Sequence, residues 1–161
     1  FVIGSIHVIH HTEFYYGEFF KGKTKEEAHR EFFEETLKCV KAFDCFNVLG
    51  HLDYIVRYGP YQDKTVDHAK YQDIIDEIFK TLIKKGKGIE VNTSGYKDLK
   101  ICGFPNFEQV QRYYDLGGRI ITIGTDSHTS DRVGENCLTV AKKYQEIGFE
   151  DVSTFTGRVK D

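Results

Sequence analysis

Methionine and tryptophan are absent from the 161 residues, and proline occurs only twice. Without methionine, Phe1 is not expected to be a translation start, which predicts a processed chain or a fragment. No stretch approaches the roughly 18 consecutive apolar residues that a membrane-spanning helix needs, so a membrane protein of that kind is excluded. No basic segment leads into an apolar one at the N-terminus, so a secretory signal is not expected and the cytoplasm is the expected compartment. Cationic excess is missing too: 22 Lys and Arg stand against 25 Asp and Glu, a net charge of −3, which argues against a nucleic-acid surface. No Gly-x-Ser-x-Gly elbow is present, which removes the serine-hydrolase reading. The four cysteines, Cys39, Cys45, Cys102 and Cys137, form no Cys-x-x-Cys pair, so a zinc ribbon or redox dithiol is excluded. Cys39 and Cys137 fall in helical patterns, where a reduced, packed thiol is expected.

What is present is the composition of a folded domain. The chain is 40% apolar and 29% charged, with 13 phenylalanines and 10 tyrosines spread along it, and its length suits a single domain over residues 1–161. Phe1 to Ile9 reads as a buried strand. Thr24-Lys25-Glu26-Glu27 is a capping box, opening a helix with Ala28, Phe32, Phe33, Leu37 and Val40 on one face. A strand-like run follows over 46–52. A second helix spans about Asp67 to Lys85, stopped at Gly86, and a short strand covers Gly88 to Asn92. Asn106 can cap a third helix, closed by Gly117-Gly118. Arg119 to Ile123 is a fourth strand, and a last helix lies within 134–147, with Leu138, Ala141 and Ile147 apolar. Strand and helix alternate four times, which predicts an α/β fold with a parallel sheet.

The C-terminal ends of these strands carry the chemistry: His7, then His51 and Asp53, then Glu90 and Asn92, then Asp126 and His128. In parallel α/β folds, sites are built at that end because the following loops converge there. Histidine and carboxylate are the usual ligands of Zn, Mn and Fe. One such histidine is ordinarily just a polar residue; four strands delivering a ligand type to one end is a pattern. Asp126 and His128 are two apart, so on an extended segment both face one side.

Four motifs occur in order: Gly4-Ser5-Ile6-His7, Leu49-Gly50-His51-Leu52-Asp53, Glu90-Val91-Asn92-Thr93-Ser94-Gly95 and Ile123-Gly124-Thr125-Asp126-Ser127-His128. Together they resemble the polymerase-and-histidinol-phosphatase (PHP) superfamily. Leu52 to Gly59, with Asn92 to Gly95, resembles its histidinol-phosphate phosphatases in particular. The resemblance runs from Gly4 to about Arg158. It implies a distorted (β/α)7 TIM-like barrel with a multinuclear divalent-metal site (Zn, Mn or Fe). It also implies metal-dependent hydrolysis of a small phosphomonoester, L-histidinol phosphate, in histidine biosynthesis. His7, His51, Asp126 and His128 resemble the family's metal ligands. Arg57 and Lys97 resemble its two phosphate-holding cations, Lys97 standing where arginine is usual. Asn92 is expected to contact substrate, and Glu90 to support the ligands from behind. Asp126 or a metal-bound water would protonate the leaving group. The family's opening Asp-x-His-x-His motif has no counterpart before His7. The chain therefore resembles the C-terminal portion of such a domain, about four βα units with the N-terminal strands missing. Such a piece is expected to be inactive alone and to self-associate through an open sheet edge.

Two other readings compete: a non-catalytic or incomplete PHP-like fragment that binds metal and phosphate weakly, and a nucleotide binder. Gly17 to Thr24 fits the P-loop pattern, which would mean nucleotide binding. Against it stand Glu18, two bulky phenylalanines, and the capping duty of Thr24. His10, His11, His29 and His68 are expected to face solvent, and the lysines at 80, 84, 85 and 87 to form a solvated helix end.

Overall fold

The computed structural model describes residues 1–98 and 103–161, with the backbone alone at 97 and 98. Its centre is a four-stranded parallel sheet of β1 (Ile3–Gly4), β4 (Val48–Leu49), β5 (Gly88–Asn92) and β6 (Ile121–Gly124), side by side in chain order. Two small antiparallel pairs, β2 (Val8–Ile9) with β3 (Thr12–Glu13) and β7 (Phe155–Thr156) with β8 (Val159–Lys160), lie outside it. The connections carry α1 (Lys25–Ala42), α2 (Gln72–Lys84), α3 (Ser94–Asp98) and α4 (Phe107–Asp115), and α5 (Cys137–Ile147) follows β6. The alternation of strand and helix is as the sequence pattern predicts, and the molecule is an α/β protein.

Local chemistry explains the elements. Thr24 Oγ1 accepts from the Glu27 amide while the Glu27 carboxylate accepts from the Thr24 amide, so the capping box opens α1. Asn106 Oδ1 accepts from the Gln109 amide and opens α4. Gly86, at φ +64°, ends the α2 unit in a conformation that disfavours other residues. β5 is buried along its whole length, as expected of a central strand with both faces covered. Beneath α1 an aromatic group forms, with Phe14 and Phe19 rings 5.0 Å apart and Phe32 and Phe33 5.4 Å apart.

Several expectations change. The predicted strand over 1–9 is two short pieces, because β1 is an edge strand and the chain then turns through His10 and His11, both at positive φ. Of its apolar residues Ile9 is buried and Ile6 half-buried, while Phe1, Val2, Ile3 and Val8 are exposed. On α5 the inward face is Val140 and Tyr144, and Leu138 faces solvent, because the helix starts only at Cys137. His29 and His68 are buried, not solvent-facing, because neighbours distant in sequence close over them. Lys85 and Lys87 are more than a solvated end. They donate to the carbonyls of Lys41, Phe43 and Asp44 and tie α2 to the end of α1. The P-loop reading fails: Phe19 and Phe20 are core residues, and Lys23 is paired with Glu31 at 2.7 Å. No helix of the described residues is long and apolar enough to cross a membrane. Cys39, Cys45 and Cys137 are free thiols, and Cys102 lies outside the described residues.

Candidate active site

The strand ends gather a histidine pair, a carboxylate and a guanidinium. β1 runs toward His7 and β4 toward His51; because the two strands pair in parallel, both histidines emerge at the same end. Their Nε2 atoms face one another at 3.1 Å. The rings stack with centroids 5.1 Å apart, and Tyr54 lies against both, 4.7 Å from His7 and 4.5 Å from His51. Burial lowers the pKa of His7, and burial together with the neighbouring His7 lowers that of His51 to about 4. At neutral pH both rings are therefore uncharged, the form that offers a lone pair to a metal.

Asp126 follows β6. Its Oδ2 accepts from Arg57 Nη1 at 3.0 Å, and its Oδ1 lies 3.6 Å from His128 Nε2. Burial alone would raise its pKa, but the Arg57 guanidinium outweighs burial and holds it below the usual carboxylate value. His51 and Asp126 both stand at positive φ, +30° and +50°, a costly conformation that non-glycine residues keep mainly where the surroundings enforce it. His128 is 87% exposed, so its imidazole reaches out from the rim. Among the described residues no three His, Cys, Asp or Glu side chains already surround one point as a metal cage. The expected ligands thus stand as two pairs, His7 with His51 and Asp126 with His128.

Arg57 comes from a single turn of 3-10 helix, Tyr54–Arg57. Its guanidinium lies 5.5 Å from the Tyr54 ring centroid and 5.7 Å from that of Phe104, and it donates to Ser94 Oγ as well as to Asp126. Lys97, the other predicted cation, lies outside the residues whose side chains are described. Asn92 is 2% exposed and its Oδ1 accepts from the amide and hydroxyl of Ser94 at the start of α3. That oxygen is committed to the turn, which leaves only its amide nitrogen for substrate. Glu90 is buried, and burial followed by the Asp126 charge pushes its pKa up to about 7. Its Oε2 has no hydrogen-bond partner among the described residues. A Cβ on Gly124 would sit 1.9 Å from Glu90 Oε1, so glycine is what lets this acid lie across β6.

Three contributors escape sequence reasoning. Tyr54 and Ser94 are legible only as members of the family motifs, and Asp53 pairs with His68 in the interior at 2.8 Å. Asp53 stood among the strand-end groups, but nothing local announced a partner fifteen residues on.

Comparison with known proteins bears on the whole chain. A model of the PHP domain matches residues 1–94, which takes in His7, His51, Arg57 and Asn92. A histidinol-phosphatase of Lactococcus lactis is 40% identical over 158 residues, covering 98% of this chain and 58% of that protein. A probable histidinol-phosphatase of Clostridium acetobutylicum is 33% identical over 94% of this chain and 59% of that protein. The chain thus spans less than two thirds of the length of these relatives. The crystal structure of histidinol phosphate phosphatase from Lactococcus lactis, complexed with zinc, L-histidinol and phosphate, superposes with a TM-score of 0.90 at 40% identity. That superposition covers all of this chain and 61% of the other. The order of strand-end motifs, the parallel sheet that carries them and a domain match across more than half the sequence lead to one kinship: the chain belongs to the PHP domain family.

Proposed function

We propose that this chain supplies part of the active centre of a metal-dependent phosphomonoesterase that hydrolyses L-histidinol phosphate to L-histidinol and phosphate, a step of histidine biosynthesis in the cytoplasm. The observation that carries the reading is the facing pair of imidazoles, His7 Nε2 and His51 Nε2, 3.1 Å apart at the ends of adjacent parallel strands. Two nitrogens bound tetrahedrally to one zinc at 2.0–2.1 Å would stand about 3.3 Å apart, so the pair is already spaced as a metal seat. In the metal-free pair one Nε2–H can donate to the other Nε2, and a bound cation would take the place of that proton. His7, His51, Asp126 through Oδ1, and His128 are the residues that would hold divalent metal, zinc, manganese or iron. A centre of more than one ion would need ligands beyond these four. The strand order suits an arc of the (β/α)7 barrel.

Bound metal would lower the pKa of a water to make the nucleophile and offset charge on the phosphoryl group. Arg57 is placed to bind the substrate phosphate, two N–H groups to two oxygens, with Asp126 Oδ2 and Ser94 Oγ orienting its plane. Lys97 is the proposed second cation and Asn92 a further contact through its amide nitrogen. The Arg57 pair keeps Asp126 ionised at neutral pH, so Asp126 holds no proton to give and delivery of the leaving-group proton falls to a bound water. Glu90, buried behind Asp126, supports the ligands from the next strand. With a net charge of −3, the proposed partner is the small phosphate ester and not a nucleic acid.

The test is a graft. This sequence replaces the matched 158 residues of the Lactococcus relative, and phosphate release from L-histidinol phosphate is measured with zinc present. Release that His51→Ala or Arg57→Ala abolishes supports the reading; a folded, zinc-loaded graft that releases none contradicts it.

A further inference from the structure

We infer that the buried Asp53–His68 pair is a clamp that positions both the metal histidine His51 and the phosphate arginine Arg57; the inference rests on the function proposed above. His51 stands at φ +30°, a conformation a histidine keeps only where the chain is held on both sides. Upstream the hold is clear: the Gly50 amide donates to the Gly4 carbonyl at 2.8 Å, locking β4 to β1. Downstream, the sheet has ended and the chain enters the turn Tyr54–Arg57, held internally by Tyr54 N to His51 O and Val56 N to Asp53 O. These bonds fix the shape of the turn. Leu52, Ile55 and Val56, all buried, seat it in the core, and Asp53 adds a buried polar tie. Its carboxylate, only 4% exposed, accepts from His68 Nε2 at 2.8 Å, and His68 itself is 8% exposed.

The line continues. On its other side His68 Nδ1 lies 3.5 Å from Asn106 Nδ2, and Asn106 Oδ1 caps α4. Two residues before Asn106, Phe104 exchanges two main-chain hydrogen bonds with Asn92 and presents its ring to the Arg57 guanidinium. The clamp therefore connects the turn carrying Arg57 to the segment that forms the other wall around Arg57. A cavity of about 80 Å³, lined by Asp53, Val56, His68, Phe104 and Asn106 among others, gives the turn room to shift once the bond is cut. Neither Asp53 nor His68 needs to touch substrate. Both are positioning residues; partners bonded directly to a metal-binding imidazole typically matter by about 10–100-fold, and this pair, one step further out, belongs at the low end.

The experiment measures zinc binding and inorganic-phosphate binding by the chain, with melting temperature as the control for folding. His51→Ala and Arg57→Ala give the reference losses. Asp53→Leu combined with His68→Leu removes both partners, so no buried charge is left unpaired and the fold is expected to hold. Zinc and phosphate should each bind about 10-fold more weakly at an unchanged melting temperature. His68→Gln keeps an N–H toward Asp53 and should restore most of both affinities. Wild-type affinities in the apolar pair, or His68→Gln binding as weakly as the apolar pair, would overturn the clamp while the function proposed above stands. Should the apolar pair fail to fold, Asp53→Asn carries the test, because it keeps the shape and removes the charge. Weaker binding of both ligands then supports the clamp, and unchanged binding overturns it. If the wild type binds zinc and phosphate but neither reference variant weakens them, or if it binds neither, the proposed site fails and the clamp with it.

Discussion

At the residue scale, the arrangement assigns unequal weight to two cations. Arg57 is held between two aromatic rings and oriented by Asp126 and Ser94, so it meets phosphate with a fixed fork. In the grafted enzyme Arg57→Ala should raise KM about 10-fold or more, and Lys97→Ala should raise it less, because an ammonium binds as a point charge. Steady-state kinetics on the two variants decide this, and the reverse order would show that the roles are exchanged. A second residue sets the acid sensitivity of the fold. His29 sits 1% exposed between Tyr61 and Tyr71 with its Nδ1 unpartnered among the described residues, and burial lowers its pKa from 6.5 to about 4, assisted by Lys25. The unfolded chain takes up that proton near pH 6.5 while the folded chain resists it until about pH 4. The stabilising contribution is thus complete above pH 6.5 and is lost as pH falls through that window. At pH 5 the loss is ~2 kcal/mol, and His29→Phe should remove that share of the drop between pH 7 and pH 5 in urea denaturation. His7, His51 and Asp126 were legible in the sequence as strand-end groups, and Arg57 only through the family resemblance. The burial of His29 and His68 was not, since helical spacing says which face a residue is on but not what covers it.

At the element scale, the site depends on neighbouring strands fitting closely. Glu90 on β5 lies across β6 where Gly124 has no side chain. Gly124→Ala would drive a methyl group into the Glu90 carboxylate, which has nowhere to go in a buried setting. The expected cost is about 1–3 kcal/mol of stability, and Glu90→Ala in the same chain should recover part of it. Additive losses in that double-mutant cycle would show that the two positions do not meet. The caps of α1 and α4 and the stop at Gly86 were readable from single residues, since each satisfies or ends a helix locally. The edge position of β1 was not. Phe1 to Ile9 is β-branched and apolar enough for a central strand, and only the pairing shows that one side is open.

At the scale of the whole molecule, the parallel order β1–β4–β5–β6 puts β1, with exposed Phe1, Val2 and Ile3 in or just before it, at one edge of the main sheet, while Ser153 hydrogen-bonds the Ile121 backbone on the outer side of β6. An unpaired, apolar strand edge recruits another chain. The 161 residues alone should therefore self-associate, and Ile3→Lys should shift them toward monomer in light scattering; a monomeric wild type at high concentration would contradict this. Activity of the isolated chain toward L-histidinol phosphate should be slight, because its ligands stand as two pairs and not as a closed cage.

The central claim is that the facing imidazoles of His7 and His51 are a metal seat. Its most direct test is a zinc titration of the chain followed by the ¹⁵N shifts of the histidine side chains. The account predicts that the Nε2 signals of His7 and His51 move together to the metal-bound position, and that His51→Ala abolishes the change at His7. Zinc binding that leaves both Nε2 signals in place would contradict it.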